Sequence, residues 1–400
     1  MLEYLVYALA GCAVGVVTGL TPGLHVNTVC LIGLGLYSRF GLDVVGFGVF
    51  MVGVSVTHTF LDFIPGIFLG VPDEGTALSI LPAHRLVLAG RGLDAVKLTC
   101  YGCLIGLVFG LTLLVPMIII VPMFYRQLRE FVVYVIGAAS LILILRERGG
   151  GKMWAAVIFL LSGCVGVLTL GIEGMSATYV LFPVFSGLFG VSGLVYSLMV
   201  SEANIPQERY STTKVDAEIV GGGLLGAVGG AVVGLLPAMS PSQVGILMSG
   251  VFGASQRGFL VSVAAIQASD SLYSLAALYI IGNGRSGMSV MLGRMLELDA
   301  DTLTLFVGVF CLVAFFAAHL HMEIGRRASV FYGMVDHRLM SAGVIMFVLA
   351  LVYAFTGLFG ILVALVCTAV GLLPILSGVS RTHLMGVLLV PTISYYLGLG

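Results

Sequence analysis

The sequence predicts an all-α polytopic membrane protein, with roughly ten to twelve transmembrane helices plus re-entrant hairpins in two repeated, inverted halves. Three observations carry this. The 400 residues are 59% hydrophobic and only 9% charged, against about 25% charged in a soluble chain, so there is too little charge to clothe a soluble surface. Apolar runs long enough to cross a bilayer as a helix recur from end to end. Two broken apolar motifs in the first half also have counterparts in the second.

Taken in order, the spanning segments fall near residues 4–20, 44–70, 98–124, 131–146, 153–172, 177–200, 219–237, 259–282, 303–322, 340–357, 359–377 and 383–398. The opening "MLEYLVYALAG" carries an acid and no Lys or Arg before its apolar run, which reads as a first membrane helix rather than a cleaved signal peptide. Shorter apolar pieces at 24–38 and 239–255, and the segment 71–92 with Pro72 and Pro82, read as re-entrant hairpins or broken helices. The polar stretch "SEANIPQERYSTTKVDAE" separates a first repeat, 1–200, from a second, 219–400, as a linker over 201–218. Basic residues flank 131–146 on both sides (Arg126 and Arg129, then Arg146, Arg148 and Lys152), so charge asymmetry leaves the orientation open.

The repeat shows in two blocks. Setting "GVVTGLTPGLHVN" over "GAVVGLLPAMSPS" places Gly15 on Gly230, Gly19 on Gly234, Leu20 on Leu235 and Pro22 on Pro237. Setting 57–75 over 269–287 places Gly70 on Gly282 and Gly75 on Gly287. Repeated halves with matching interruptions are the sequence pointer to a transporter's binding site.

The first block raises a chemical expectation. Pro22 has no N–H and Gly23 loses most entropy on ordering, so a helix breaks there. In lipid a broken backbone survives only where protein or a water-filled cavity satisfies it. The breaks are expected to end half-helices near mid-membrane. The N–H groups at the start of the next half-helix would attract an anion, with His25, Asn27 and Thr28 as added donors. Pro237, Ser240, Ser242 and Gln243 would face them from the other half. The competing reading is a proline kink that only shapes packing.

The second block carries ionisable groups. His58 and Asp62 are spaced one helical turn apart and share a face. Charge inside a membrane segment is costly and faces a cavity or a partner. Asp62 is a candidate to take a proton or ligate sodium, His58 to relay a proton, and Asp270 stands at the repeat position of His58. Asp73, Glu74, Gly75 and Thr76 are candidate substrate contacts, with Arg85 and Arg285 as charge compensation. Structural readings compete: a hydrogen-bonded carboxyl for Asp62, a solvated capping turn for Asp73 and Glu74, and interfacial anchors for Arg85 and Arg91.

Other chemistries lack their signatures. A net charge of −1 gives no basic field for nucleic acid. There is no Walker A sequence and no metal motif: "HLHME" at 319–323 lacks the HExxH spacing. Cys100 and Cys103 form a CxxC inside an apolar run and read as small packing residues. "GVSG" at 190–193 is similar to the serine motif of rhomboid intramembrane proteases, but such small-residue strings are common at helix contacts. No cofactor is implied beyond a coupling H+ or Na+.

Two stretches, "GLTPGLHVN" and "FLDFIPGIFLGVPDEGTALSILPAHRLVLAGRGLDAVKLT", resemble the large membrane subunit of tripartite tricarboxylate transporters, the TctA family, and most closely its stand-alone, largely archaeal branch. The family has a Gly-x-x-Pro-Gly motif early in each half and a stretch similar to "PDEGTALSILPAHRLVLAGRG"; the resemblance extends over the whole chain. It implies a multi-pass protein of a prokaryotic cell membrane, working with a small membrane subunit and an extracytoplasmic binding protein. The departures are Pro237-Ala238, where the family has Pro-Gly, and His84-Arg85 without the family's preceding Asp-Gly. The expected function is therefore secondary active transport of an organic anion, a carboxylate, driven by a proton or sodium gradient; a homo-oligomer is compatible with it. The alternative is a translocase for polyprenyl-phosphate lipid carriers, since a lipid phosphate suits a helix start as well as a carboxylate does. An intramembrane enzyme is the remote alternative, and the chain is expected not to be an enzyme.

Overall fold

The computed structural model describes residues 2–21, 29–30, 33, 37, 43–70, 80–170, 177–199, 206–235, 241, 244–245, 248, 255–282, 284–334 and 336–398. Pro22, Gly23, His25, Asn27, Thr28, Asp73, Glu74, Gly75, Thr76, Pro237, Ser240, Ser242 and Gln243 lie outside the described residues. Among the described residues the chain is helical, with no strand. Helices α1 (Leu2–Leu20), α2 (Val44–Leu61), α3 (Phe63–Leu69), α4 (Ile80–Leu88), α5 (Gly92–Arg146) and α6 (Gly151–Leu170) are followed by α7 (Ala177–Phe185), a π-helical turn (Ser186–Val191) and α8 (Ser192–Met199). After the polar stretch come α9 (Ala217–Leu235), α10 (Gln256–Ile281), α11 (Gly287–Met295), α12 (Ala300–Tyr332) and α13 (His337–Ser377), then a 3-10 turn (Arg381–Met385) and α14 (Gly386–Tyr396).

Eight helical stretches among the described residues are long and apolar enough to cross a membrane. The segments expected at 98–124 and 131–146 lie on one helix, α5, with Pro116 and Pro122 inside it. Those at 340–357 and 359–377 are both in α13, interrupted at Gly357 by a φ of 65°. One expectation needs correcting. The helices preceding the two proline motifs, α1 and α9, have 19 residues each. At 1.5 Å per residue that is about 28 Å, a full hydrocarbon crossing rather than a half-helix.

Helices α2 and α10 are the centre of the molecule. Most of their apolar length is buried, 83% and 94%, against 28–56% for the other long helices. They are built alike. Asp43 caps α2 by accepting from Gly46 N–H at 2.6 Å, and Ser255 caps α10 by accepting from Gly258 N–H at 3.3 Å. Where Pro65 interrupts, α2 breaks at Asp62 and resumes as α3, which ends on Gly70 (φ 65°); α10 runs on to Gly282 (φ 64°). Only glycine adopts that left-handed cap cheaply.

The flanking helices approach them in the same register. A Cβ on Gly15 of α1 would lie 2.7 Å from Val54 O, 2.6 Å from Thr57 Cβ and 3.3 Å from His58 N. A Cβ on Gly230 of α9 would meet Ile266 O and Asp270 N at 3.0 Å, and Ser269 Oγ. Gly19 abuts His58 and Leu61 as Gly234 abuts Asp270 and Tyr273. Small residues at these crossings let backbones come together without a side chain between them.

Buried apolar side chains form one large cluster drawn from both sides of the polar stretch, with residues of α1–α5 and α9–α12. A second cluster joins the end of α5 with α6, α7, the π-helical turn, α13 and α14 through Ile136, Ile158, Phe189, Cys367 and Leu384. Of the expected linker, residues 206–216 are non-helical and tied to α4 and α5. Gln207 donates to Val87 O and accepts from Gly92 N–H, and Glu208 N–H donates to Gly90 O. Buried Asp94 accepts from Ser211 Oγ, from Thr213 Oγ1 at 2.9 Å and from Arg91.

Candidate functional site

The break between α2 and α3 follows from Pro65. Without an N–H, Pro65 cannot serve the Leu61 carbonyl. The next bond, Gly66 N–H to Asp62 O, is stretched to 3.5 Å. Asp62 sits at this break, 6% exposed, still one helical turn from His58, whose carbonyl accepts its N–H at 2.9 Å.

Asp62 reaches across to the second central helix: Gln267 of α10 donates from Nε2 to Asp62 Oδ2 at 2.6 Å. Both side chains are buried. An acid in an apolar interior needs such a donor, because burial without one costs several kcal/mol (~2–7). His58, 2% exposed, places Nδ1 3.1 Å from Thr18 Oγ1 on α1. Thr18 Oγ1 also lies 3.3 Å from Gly15 O in its own helix.

A third helix supports the break. His321 of α12, fully buried, directs Nδ1 at the carbonyl of Phe60. Its Nε2 lies 3.0 Å from Val96 O and 3.1 Å from Thr99 Oγ1, both on α5. Both ring nitrogens face backbone carbonyls, which only accept, so a neutral imidazole donates to one of them at a time. His321 thus ties α2, α5 and α12 together two residues from Asp62.

The structure brings together His58 and Asp62, and it adds Gln267, Thr18 and His321. Asp270 is half-buried beside Gly234, in the register that His58 keeps with Gly19. Arg285 is half-buried in the turn after α10, and its N–H donates to Ser274 Oγ at 2.8 Å. Ser274, at the repeat position of Asp62, also accepts from Ser286 N–H and bonds Ser289 Oγ at 2.6 Å. Arg85 is exposed on α4 and joins none of these contacts. Cys100 and Cys103 are buried, unbridged and directed at Ala318 O and Ala264 O, as packing residues. Gln267 went unnoticed in the sequence because a neutral amide in an apolar run carries no charge signal. Its period on α10, alongside Ser271 and Ser274, was the available cue.

Residues 5–386 match the Tripartite tricarboxylate transporter TctA family. The chain belongs to the TctA family. A TctA chain with these apolar helices is a multi-pass membrane protein and a transporter component, and the family's tripartite description implies partner subunits. An uncharacterized protein of Methanocaldococcus jannaschii is 29% identical over 405 residues, covering 98% of this chain and 99% of that protein. No solved structure matches the chain.

Proposed function

We propose that this TctA-family chain is the translocating subunit of a secondary active transporter for an organic anion, a carboxylate, and that Asp62 is its coupling-ion site for H+ or Na+. The observation that carries the reading is the buried Asp62 carboxylate, held by Gln267 across the two central helices. A buried acid is expensive in such a place and marks ion pathways in membrane proteins. Gln267 is a neutral amide, so this contact holds the carboxylate without supplying a charge of its own.

In this reading His58 relays protons and Asp270 serves the second half. Two inverted repeats, 1–200 and 219–400, move about an axis between α2 and α10. The N–H groups that follow Pro22 and Pro237, beyond the ends of the full-length α1 and α9, cradle the anion. The shared capping and glycine register of the two central helices supports the repeat. A small membrane subunit and an extracytoplasmic binding protein complete the system in a prokaryotic cell membrane. The test is uptake of labelled carboxylates into proteoliposomes under imposed pH or sodium gradients. Wild-type accumulation is expected to follow one of them, and Asp62→Asn to lose that dependence.

A further inference from the structure

Away from Asp62, the second apolar cluster encloses a cation. Arg381 opens the 3-10 turn between α13 and α14 and is 6% exposed. Its Nη2 donates to the carbonyls of Leu188 at 3.1 Å and Phe189 at 2.6 Å and lies 2.9 Å from Ser192 Oγ. The guanidinium carbon sits 5.7 Å from the centre of the Phe189 ring. The π-helical turn explains why those carbonyls are available: its bonds skip a residue, as Ser192 N–H to Gly187 O shows, and such turns recur at functional sites.

All these hydrogen bonds use one nitrogen. Arg381 Nε is buried with no acceptor, and Nη1 makes none of the bonds. No carboxylate among the described residues pairs with Arg381. Glu147, which meets the residue before Arg381, is engaged by Ser380 N–H at 2.9 Å and His383 Nε2 at 3.0 Å. A guanidinium keeps its charge at any working pH, and an apolar interior tolerates such a charge poorly without a counter-ion. Nη1 also has an approach. At Gly193 a Cβ would meet a single neighbour within 4 Å, Arg381 Nη1 itself at 3.4 Å. The missing side chain leaves a half-buried opening onto the nitrogen that lacks acceptors.

We infer that Arg381, reached past Gly193, binds an oxyanion, the carboxylate or phosphate group of a free solute or a lipid headgroup, at a site separate from Asp62. The oxyanion supplies the missing counter-charge and the acceptors for Nη1, while Nη2 holds the guanidinium on the π-helical turn. This inference stands without the transport reading.

The experiment uses the purified full-length chain in lipid-free detergent micelles. Thermal unfolding is followed while citrate, succinate or inorganic phosphate is titrated against sodium chloride of equal ionic strength. Saturable stabilisation by the oxyanions and not by chloride is expected. Gly193→Val fills the opening without touching the charge and should weaken apparent affinity by about 10–100-fold, the worth of a charged hydrogen bond. Arg381→Gln should abolish the response; if that variant does not fold, Gly193→Val decides. Adding phosphatidylglycerol separates the sources: a lipid phosphate in the site removes the response to free oxyanions in wild type. An equal response in Gly193→Val, or one matched by chloride, overturns the assignment. A response lost in Asp62→Asn but kept in Gly193→Val places the anion at the central helices, which overturns this inference and leaves the transport reading standing.

Discussion

The contact between Asp62 and Gln267 sets the geometry of the central helices, and its strength can be measured. Gln267→Met keeps the volume of the side chain and removes the donor. The bond is short, 2.6 Å, and both partners are buried. If the carboxylate is ionised, loss of its donor costs about 1.5–3 kcal/mol; if it is protonated, about 0.5–1.5 kcal/mol. Asp62→Asn keeps the shape and removes the charge, so the two variants and their double form a cycle. Unfolding in mixed micelles of dodecyl maltoside and sodium dodecyl sulfate gives the four stabilities. A coupling energy of about 1 kcal/mol or more is expected for side chains in direct contact. Additivity within about 0.5 kcal/mol would show that the two side chains do not interact and would remove the bridge on which the central site is built.

Three further outcomes follow from the packing. Gly15→Val forces a side chain against Val54 O and Thr57 and should cost about 1–3 kcal/mol in the same unfolding assay; Gly221→Val, where a Cβ meets nothing within 4 Å, should change stability by less than about 0.5 kcal/mol. Asp94→Asn weakens the anchor of Ser211 and Thr213, so limited proteolysis should cut residues 208–216 faster than in wild type. Asp299 caps α12 by accepting from Thr302 N–H at 2.8 Å, and its bonds with Thr302 hold its carboxyl below the ordinary value. A depressed folded value means the cap is fully present above the unfolded pKa of about 3.9 and is lost as pH falls through the lowered value. Amide exchange in the first turn of α12 should therefore rise relative to Asp299→Ala controls only in that acid window.

The membrane class was legible because it rests on composition and run length, which need no contacts. The helix break at Asp62 was legible from Pro65, and the end of that element from Gly70, since both act through the local backbone. The register of α1 on α2 was also present in the sequence, as Gly15 and Gly19 spaced one turn apart. What the sequence did not yield was pairing across distance. Gln267 stands 205 positions from Asp62, and nothing local marks an amide as the donor a distant acid requires. The "HLHME" string lacks metal spacing, and the contacts of His321 are to backbone carbonyls, which no motif encodes. Arg381 was missed for a similar reason: its partners are carbonyls that a π-helical turn makes available, and that turn depends on tertiary packing.

The central claim is that Asp62 exchanges the coupling ion, and the most direct measurement is gradient-driven uptake by Asp62→Asn against wild type. Both are reconstituted in proteoliposomes, with partner subunits where the wild type requires them, and matched by unfolding midpoint so that folding is not the variable. The account predicts that wild-type accumulation of a labelled carboxylate rises with the imposed pH or sodium gradient, whereas Asp62→Asn shows no dependence on either. Uptake by Asp62→Asn with the wild-type gradient dependence would contradict it, and Asp62 would then be a structural carboxyl that does no more than join α2 to α10.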